Sequence, residues 1–137
     1  MRTLIVDDEF NNRILLGKLL DRLSECDLVS NGREAVEAFE NAIDEGHPYD
    51  LVLLDIMMPE LDGQAALERI RRVEEKNGLT GREASVIFMV SALDTEEHVV
   101  RAFFRGGCSD YLAKPVTQEG LFGKLKEYGF LTEPSSS

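Results

Sequence analysis

The chain has 137 residues, enough for one hydrophobic core and too few for two independent domains. Hydrophobic residues make up 43% of it and charged residues 30%, and no apolar run approaches the length of a bilayer crossing, so we expect a globular protein without a membrane span. The 15 basic and 26 acidic side chains leave a net charge of −11, which disfavours direct binding to nucleic acid, because such binding depends on Lys and Arg displacing counterions.

The N-terminus leads straight into an apolar stretch and two acids, without the basic segment, apolar core and cleavage site of a secretory signal. We therefore expect a cytoplasmic protein. The cysteines, Cys26 and Cys108, stand far apart and outside any CxxC or His/Cys cluster. They indicate neither a metal site nor a redox pair, and we expect two unpaired thiols in or near the core.

Five apolar stretches predict strands. The stretches at 3–6, 51–54 and 86–90 are continuous and rich in β-branched residues, as in strands covered on both faces of a parallel sheet. Shorter and weaker stretches lie at 27–30 and 111–113.

Segments of helical periodicity separate the strands and follow the last one. In the first of them Phe10, Ile14, Leu15, Leu19 and Leu23 recur at spacings near three and four, which predicts an amphipathic helix. The other predicted helices span 32–43, 64–73, 95–104 and 118–128. Alternation of strands and helices predicts an α/β fold with a doubly wound, five-stranded parallel sheet.

Two segments fall outside this alternation. Residues 74–85 contain Gly78 and Gly81 and are predicted to form a long surface loop, and the polar residues 133–137 a disordered end. We therefore place a single domain at 1–129 and a tail or linker at 130–137.

The residues at the strand ends carry the chemistry, because ligands of an open parallel sheet bind outside the carboxyl ends of its strands. The residues found there are Asp7 and Asp8, Asp55, Ser91 and Ala92, and Lys114. Singly, each has an ordinary explanation as a capping acid, a loop hydroxyl or a surface lysine. Together, three carboxylates at one edge would repel one another unless a hard divalent cation and Lys114 neutralised them.

Magnesium suits such a group, because it prefers oxygen ligands and uses one or two carboxylates together with a phosphate oxygen. A carboxylate is a competent nucleophile toward phosphorus, and a metal, an ammonium and a hydroxyl can stabilise the transferring group. The predicted reaction class is phosphoryl transfer to a carboxylate.

Four segments, in this order, resemble the signature of response-regulator receiver domains of two-component signalling. They are LIVDDE at 4–9, LLDIMMPELDG at 53–63, VSA at 90–92 and DYLAKP at 110–115. The resemblance covers about residues 2–129. It implies a flavodoxin-like (βα)5 fold with strand order 2-1-3-4-5 and a cis peptide before Pro115.

The resemblance also implies a role for each site residue. Asp55 would accept the phosphoryl group, Asp7 and Asp8 would hold Mg²⁺ directly or through water, and the backbone carbonyl of Met57 would complete the protein ligands; Mn²⁺ would be able to substitute. Ser91 and Lys114 would contact the phosphoryl oxygens. Tyr111 would be the switch aromatic that turns inward when Ser91 moves, the alternative being an ordinary half-buried strand Tyr.

Three further residues would control the phosphoryl group by resemblance. Ala92 is small and would leave it accessible to the donor. Met57 and Leu93 would flank the line of water attack, and neither can orient water or accept a proton, so we expect slow self-dephosphorylation.

The implied partners are a sensor histidine kinase or a histidine phosphotransfer protein as donor, and a downstream protein as target. Asn12, Arg13 and the loop at 74–85 look like features of receivers in hybrid kinases or phosphorelays. We expect the domain to signal through protein contacts on the face formed by residues 95–104, the strand at Tyr111 and the last helix. On this face Phe103 and Phe104 are either core residues or a contact surface for a partner or for a phosphorylation-dependent homodimer.

Three other classes compete with this interpretation. Aspartyl-phosphate phosphatases carry a DxDx[TV] motif, with a second Asp two residues after the nucleophile. Asp55 is followed by Ile56 and Met57 and lacks this second acid, so we expect a switch that catalyses only its own phosphorylation and dephosphorylation. A flavodoxin-like electron carrier would need a phosphate loop where Asp7, Asp8 and Glu9 stand. A pseudo-receiver would lack at least one site residue, and none is missing here.

Overall fold

The computed structural model describes residues 1–56, 58, 61–91 and 107–131. Their strands form one parallel sheet of order β2-β1-β3-β4-β5, which confirms the predicted fold. The strands are β1 (Arg2–Val6), β2 (Glu25–Val29), β3 (Leu51–Asp55), β4 (Val86–Ser91) and β5 (Asp110–Ala113). All five residues of the central strand β3 are buried, as its continuous apolar sequence predicts.

Four α-helices lie within the described residues: α1 (Phe10–Leu20), α2 (Gly32–Asp44), α3 (Gly63–Lys76) and α4 (Gln118–Glu127). The side chains of Asn31, Asp62 and Thr117 cap α2, α3 and α4 by accepting a hydrogen bond from a backbone N–H of the first turn. The helix predicted at 95–104 lies outside the described residues, as does the chain after residue 131. Phe130 and Leu131 still pack against the core.

The sheet separates two hydrophobic clusters, because successive strand residues point to opposite faces. Leu4 belongs to the cluster that includes Phe39 of α2 and Leu67 of α3, whereas Ile5 belongs to the cluster that includes Leu16 of α1 and Leu121 of α4. Helices therefore cover both faces of the sheet and leave the carboxyl ends of its strands free for a site.

The helix predicted at α1 is present, but its spaced apolar residues face the core only in part: Leu19 and Leu23 pack against it, and Phe10 and Leu15 do not. Leu16 and Leu20 are its buried residues, while Phe10 is 64% exposed and Leu15 44% exposed. Apolar residues lie on most sides of this helix, so the spacing alone could not single out the side that packs on the sheet.

The segment predicted as a surface loop at 74–85 is tied to the core at both ends. The Glu74 carboxylate is buried, lies 2.7 Å from the Arg71 guanidinium and accepts a 2.6 Å hydrogen bond from the backbone N–H of Ser85. Arg71 also donates to the backbone carbonyls of Ser85 and Gly107 at 2.9 Å each. The buried Glu74 carboxylate has its hydrogen bonds satisfied, so it is a structural part of the fold. The polar sequence of the segment does not reveal this role.

Candidate functional site

The carboxyl ends of four strands bring the predicted site residues to one edge of the sheet. Asp7 follows β1, Asp55 and Ser91 end β3 and β4, and Lys114 follows β5. Asp7, Asp55 and Ser91 are at most 3% exposed, whereas Asp8 is exposed. The site therefore consists of buried polar side chains, with the exposed Asp8 at its edge.

Lys114 bridges two of the acids. Its Nζ lies 3.1 Å from Asp7 Oδ2 and 3.2 Å from Asp55 Oδ2. Burial lowers the pKa of Lys114, but the charge of Asp55 and the hydrogen bond and charge of Asp7 outweigh it, so its pKa lies above the ordinary value. The ammonium is thus charged at neutral pH and offsets the negative charge of two buried carboxylates.

The acids form a group with the donor set of a divalent cation. Asp7, Asp8 and Asp55 each offer a carboxylate oxygen, and the three oxygens lie within 4.8 Å of one another. Asp7 Oδ2 is buried and, among the described residues, accepts no hydrogen bond of good geometry besides its ion pair with Lys114. Among the described residues, one ammonium faces three carboxylates, and this excess of negative charge fits a hard cation such as Mg²⁺.

The backbone of Asp7 is fixed on every side. Its N–H donates to the Val29 carbonyl at 3.2 Å, its Oδ1 accepts from the Glu9 N–H at 2.9 Å, and its carbonyl accepts from Arg13 Nη1 at 2.8 Å. Asp8, by contrast, makes no hydrogen bond or ion pair with any other described residue.

Gly63, at the start of α3, packs on the backbone of Asp55 and Ile56. The N–H of Gly63 donates to the Ile56 carbonyl at 3.0 Å, and a side-chain carbon at position 63 would lie 2.7 Å from the Ile56 α-carbon. Asp62 caps α3 by accepting from the Ala65 N–H at 2.9 Å. The Asp62-Gly63 pair therefore allows the first turn of α3 to support the acceptor strand.

The ends of β4 and β5 are joined at the site. The N–H of Lys114 donates to the Ser91 carbonyl at 2.9 Å, and the Lys114–Pro115 peptide is cis, as expected. This hydrogen bond places Ser91, which carries the hydroxyl, next to Lys114, which carries the ammonium.

Tyr111 is half-buried in β5 and packs against the core cluster of α2 and α3. Its backbone N–H donates to Asp110 Oδ1 at 2.8 Å, and Asp110 Oδ2 accepts from the Tyr128 hydroxyl at 3.1 Å. Such partial burial is compatible both with a switch residue and with an ordinary strand Tyr. Met57, Ala92 and Leu93, the residues predicted to govern phosphoryl access and hydrolysis, lie outside the described residues.

Two features of α1 were missed from the sequence. One is the contact of Arg13 with the Asp7 carbonyl, because a hydrogen bond to backbone leaves no signature in residue spacing. The other is a recess that continues the site onto α1, where Asn12 and Leu15 lie beside Asp7, Lys114 and Pro115. The exposed side of α1 is therefore part of the rim of the site.

Comparison with known proteins agrees with this geometry. The model of the response regulator receiver domain family matches residues 3–126. Two-component response regulator 24 of Arabidopsis thaliana is 32% identical over 134 residues, which cover 97% of this chain and 87% of that protein. A second relative, the signal transduction histidine-protein kinase BarA of Escherichia coli K12, is 34% identical over 93% of this chain, but the chain spans only 13% of it.

Solved receiver domains have the same fold. The receiver domain of Saccharomyces cerevisiae Ssk1, crystallised with the histidine phosphotransfer protein Ypd1, superposes with a TM-score of 0.81 at 29% identity, covering 99% of this chain and 93% of that one. The receiver domain of the Arabidopsis thaliana histidine kinase CKI1, in complex with Mg²⁺ and BeF3⁻, gives 0.77 at 28% identity and covers 93% and 89% of the two chains. Separately, no helix within the described residues has the length and apolarity to cross a membrane.

Proposed function

The chain belongs to the family of response regulator receiver domains, and on that basis we propose that Asp55 is the residue of this domain that accepts a phosphoryl group. The observation that carries the proposal is the bridging of Asp55 and Asp7 by Lys114 at 3.2 Å and 3.1 Å, with the Asp8 carboxylate close by. We assign residues 1–129 to the receiver unit, against whose core Phe130 and Leu131 also pack, and propose that a tail or a linker follows them.

The transfer is a displacement at phosphorus. A carboxylate oxygen of Asp55 forms the new O–P bond while the P–N bond of a phosphohistidine donor breaks and its electron pair returns to the imidazole nitrogen. Lys114 holds the carboxylate in place before the reaction and its ammonium faces the charge that gathers on the phosphoryl oxygens. The hydroxyl of Ser91 supplies a further hydrogen bond to those oxygens. The domain thereby catalyses its own modification and no further turnover.

Asp7, Asp8 and Asp55 would hold the metal, with the Met57 carbonyl completing the protein ligands. A bound Mg²⁺ would supply positive charge that offsets these carboxylates and the charge of the phosphoryl oxygens. Support comes from the all-oxygen donor set and from the Mg²⁺ in the CKI1 receiver complex. Mn²⁺ has the same preference for oxygen ligands and is able to substitute.

The output is a change of shape. Ser91 moves toward the phosphoryl group, Tyr111 turns inward, and the surface around β5 and α4 becomes recognisable to a downstream protein or to a second copy of the domain. The half-buried position of Tyr111 is compatible with this role, which rests on the resemblance to receiver domains.

The donor is a histidine kinase or a histidine phosphotransfer protein that docks over α1. Phe10 and Leu15 expose apolar surface there, and the recess from Leu15 to Lys114 leads from this helix to the acceptor. Apolar side chains exposed beside a reactive group are a common mark of a protein contact. The complex of the Ssk1 receiver with Ypd1 is a precedent for a phosphotransfer partner.

The test is intact-mass analysis after incubation with acetyl phosphate and Mg²⁺. The wild-type protein should gain one phosphoryl group, and Asp55→Asn should gain none. Asp44→Asn, at an exposed position of α2, is the matched control and should be labelled like wild type. Labelling should stop when a chelator removes the metal and resume with Mn²⁺. Equal labelling of Asp55→Asn would refute the assignment.

A further inference from the structure

Arg13 is anchored against the acidic end of β1. Its Nη1 donates to the backbone carbonyl of Asp7 at 2.8 Å, and its guanidinium carbon lies 5.7 Å from the centre of the Phe10 ring. It also lies near Glu34, whose pKa is lowered first by hydrogen bonds from Ser30 and then by the charge of Arg13. The Asp7 carbonyl and the Phe10 ring thus restrain a side chain that is otherwise long and flexible.

The carbonyl that Arg13 holds belongs to the peptide that joins Asp7 to Asp8. This peptide is planar, so fixing the direction of its carbonyl also fixes the plane from which the Asp8 α-carbon extends. The Asp7 carboxylate has supports of its own, from the Glu9 N–H and from Lys114. The exposed Asp8 carboxylate makes no hydrogen bond or ion pair with the other described residues, so within the described part of the chain only the backbone of Asp8 sets its direction.

We propose that Arg13 is a positioning residue for the divalent cation: by holding the Asp7–Asp8 peptide it directs the Asp8 carboxylate toward those of Asp7 and Asp55. The inference rests on the proposed function, since it concerns the same metal site. Arg13 would act on the metal site through its contact with the Asp7 carbonyl. Its effect is on where an otherwise unsupported ligand points, as for the outer contacts that orient metal ligands in other proteins.

Charge and geometry predict opposite signs for the loss of Arg13, which makes the proposal decidable. A guanidinium near a cation site repels the cation, so if charge alone mattered, its removal would strengthen Mg²⁺ binding. If Arg13 orients Asp8, its removal weakens binding, and losses of about 10-fold or more are usual for such outer contacts.

The experiment is an NMR titration of the unphosphorylated protein with MgCl2, following backbone amides near Asp8 and Asp55, for wild type and three variants. Arg13→Gln should raise the Mg²⁺ dissociation constant about 10-fold. Arg13→Lys keeps a cationic donor and should recover part of the affinity. Arg33→Gln removes the same charge from α2, where Arg33 is 73% exposed and pairs only with Glu37 among the described residues, and should leave the dissociation constant near that of wild type.

Thermal unfolding without Mg²⁺ separates positioning from loss of the fold. Arg13→Gln should unfold close to wild type, and its amide spectrum should differ mainly around Asp7 and Asp8. If the wild type binds Mg²⁺ and Arg13→Gln binds it equally or more tightly, the role of Arg13 is overturned and the proposed function stands. A wild type that binds no Mg²⁺ would overturn both.

Discussion

Gly63 packs so closely on Asp55 that a side-chain carbon at position 63 would overlap the Asp55 carbonyl oxygen. Gly63→Ala must therefore shift either α3 or the acceptor strand, and we expect it to cost about 1–3 kcal/mol of stability, as for other overpacked sites. The phosphorylation rate should also fall, because the Asp55 backbone moves. Denaturant unfolding and acetyl phosphate labelling measure the two effects.

Gly123→Ala in α4 is the matched control, because a side-chain carbon there would meet nothing within 4 Å. It should leave labelling unchanged and raise stability by about 0.5–1 kcal/mol through helix propensity alone. If both alanine variants behaved alike, the contact between Gly63 and the acceptor strand would have no importance for the site.

Lys114→Met should destabilise the protein, and the loss of stability should be larger without metal than with it. The substitution leaves the buried Asp7 and Asp55 carboxylates without their ammonium, at a cost of about 3 kcal/mol. Mg²⁺ should restore part of the stability, since a cation between the carboxylates replaces the lost charge, whereas phosphorylation should stay impaired. Lys126→Met, at an exposed position of α4, serves as control. Equal melting temperatures of the two variants in a chelator would contradict this account of the ion pairs.

Tyr128 should make stability fall in alkaline solution. Burial and then Asp110 raise the pKa of its hydroxyl to about 12, above the ordinary value of about 10. The folded state holds this proton more tightly than the unfolded state, so the stabilisation is complete below pH of about 10 and is lost as the pH rises toward 12. Tyr128→Phe should be less stable by about 1 kcal/mol at neutral pH. Its deficit should shrink between about pH 10 and about pH 12, and a deficit that stayed constant would rule out the raised pKa.

Self-dephosphorylation should be slow, with Met57 and Leu93 as the cause. Neither side chain can orient or deprotonate an attacking water, so general-base help of about 10²-fold is missing. Met57→Glu or Leu93→Asn should therefore speed the loss of phosphate from the purified protein. Wild type losing its phosphate within seconds, with variants no faster, would show that these positions do not control hydrolysis.

The sequence predicted most of the fold, because the short apolar runs of β3 and β4, rich in β-branched residues, are typical of strands covered on both faces. Strand ends in a parallel sheet share an edge, so the meeting of Asp7, Asp55 and Lys114 could also be anticipated. Each of these inferences depends on residue type and order alone, which a sequence states directly.

Other contacts could not be predicted, because they depend on the three-dimensional path of the backbone. The spacing of residues in α1 does not show that Leu16 rather than Leu15 faces the sheet. Nothing in the order of residues indicates that Arg13 reaches the Asp7 carbonyl, or that Glu74 is buried beneath the N–H of Ser85. Such contacts pair a side chain with a backbone group, and every residue carries a backbone.

The most direct test of the central claim is to locate the phosphoryl group. After acetyl phosphate labelling in Mg²⁺, borohydride reduction converts an aspartyl phosphate into homoserine, and tandem mass spectrometry of the peptides shows where this residue stands. The account predicts homoserine at position 55 and at no other acid, Asp7 and Asp8 included. Homoserine at position 7 or 8, or a labelled protein without homoserine at position 55, would contradict it.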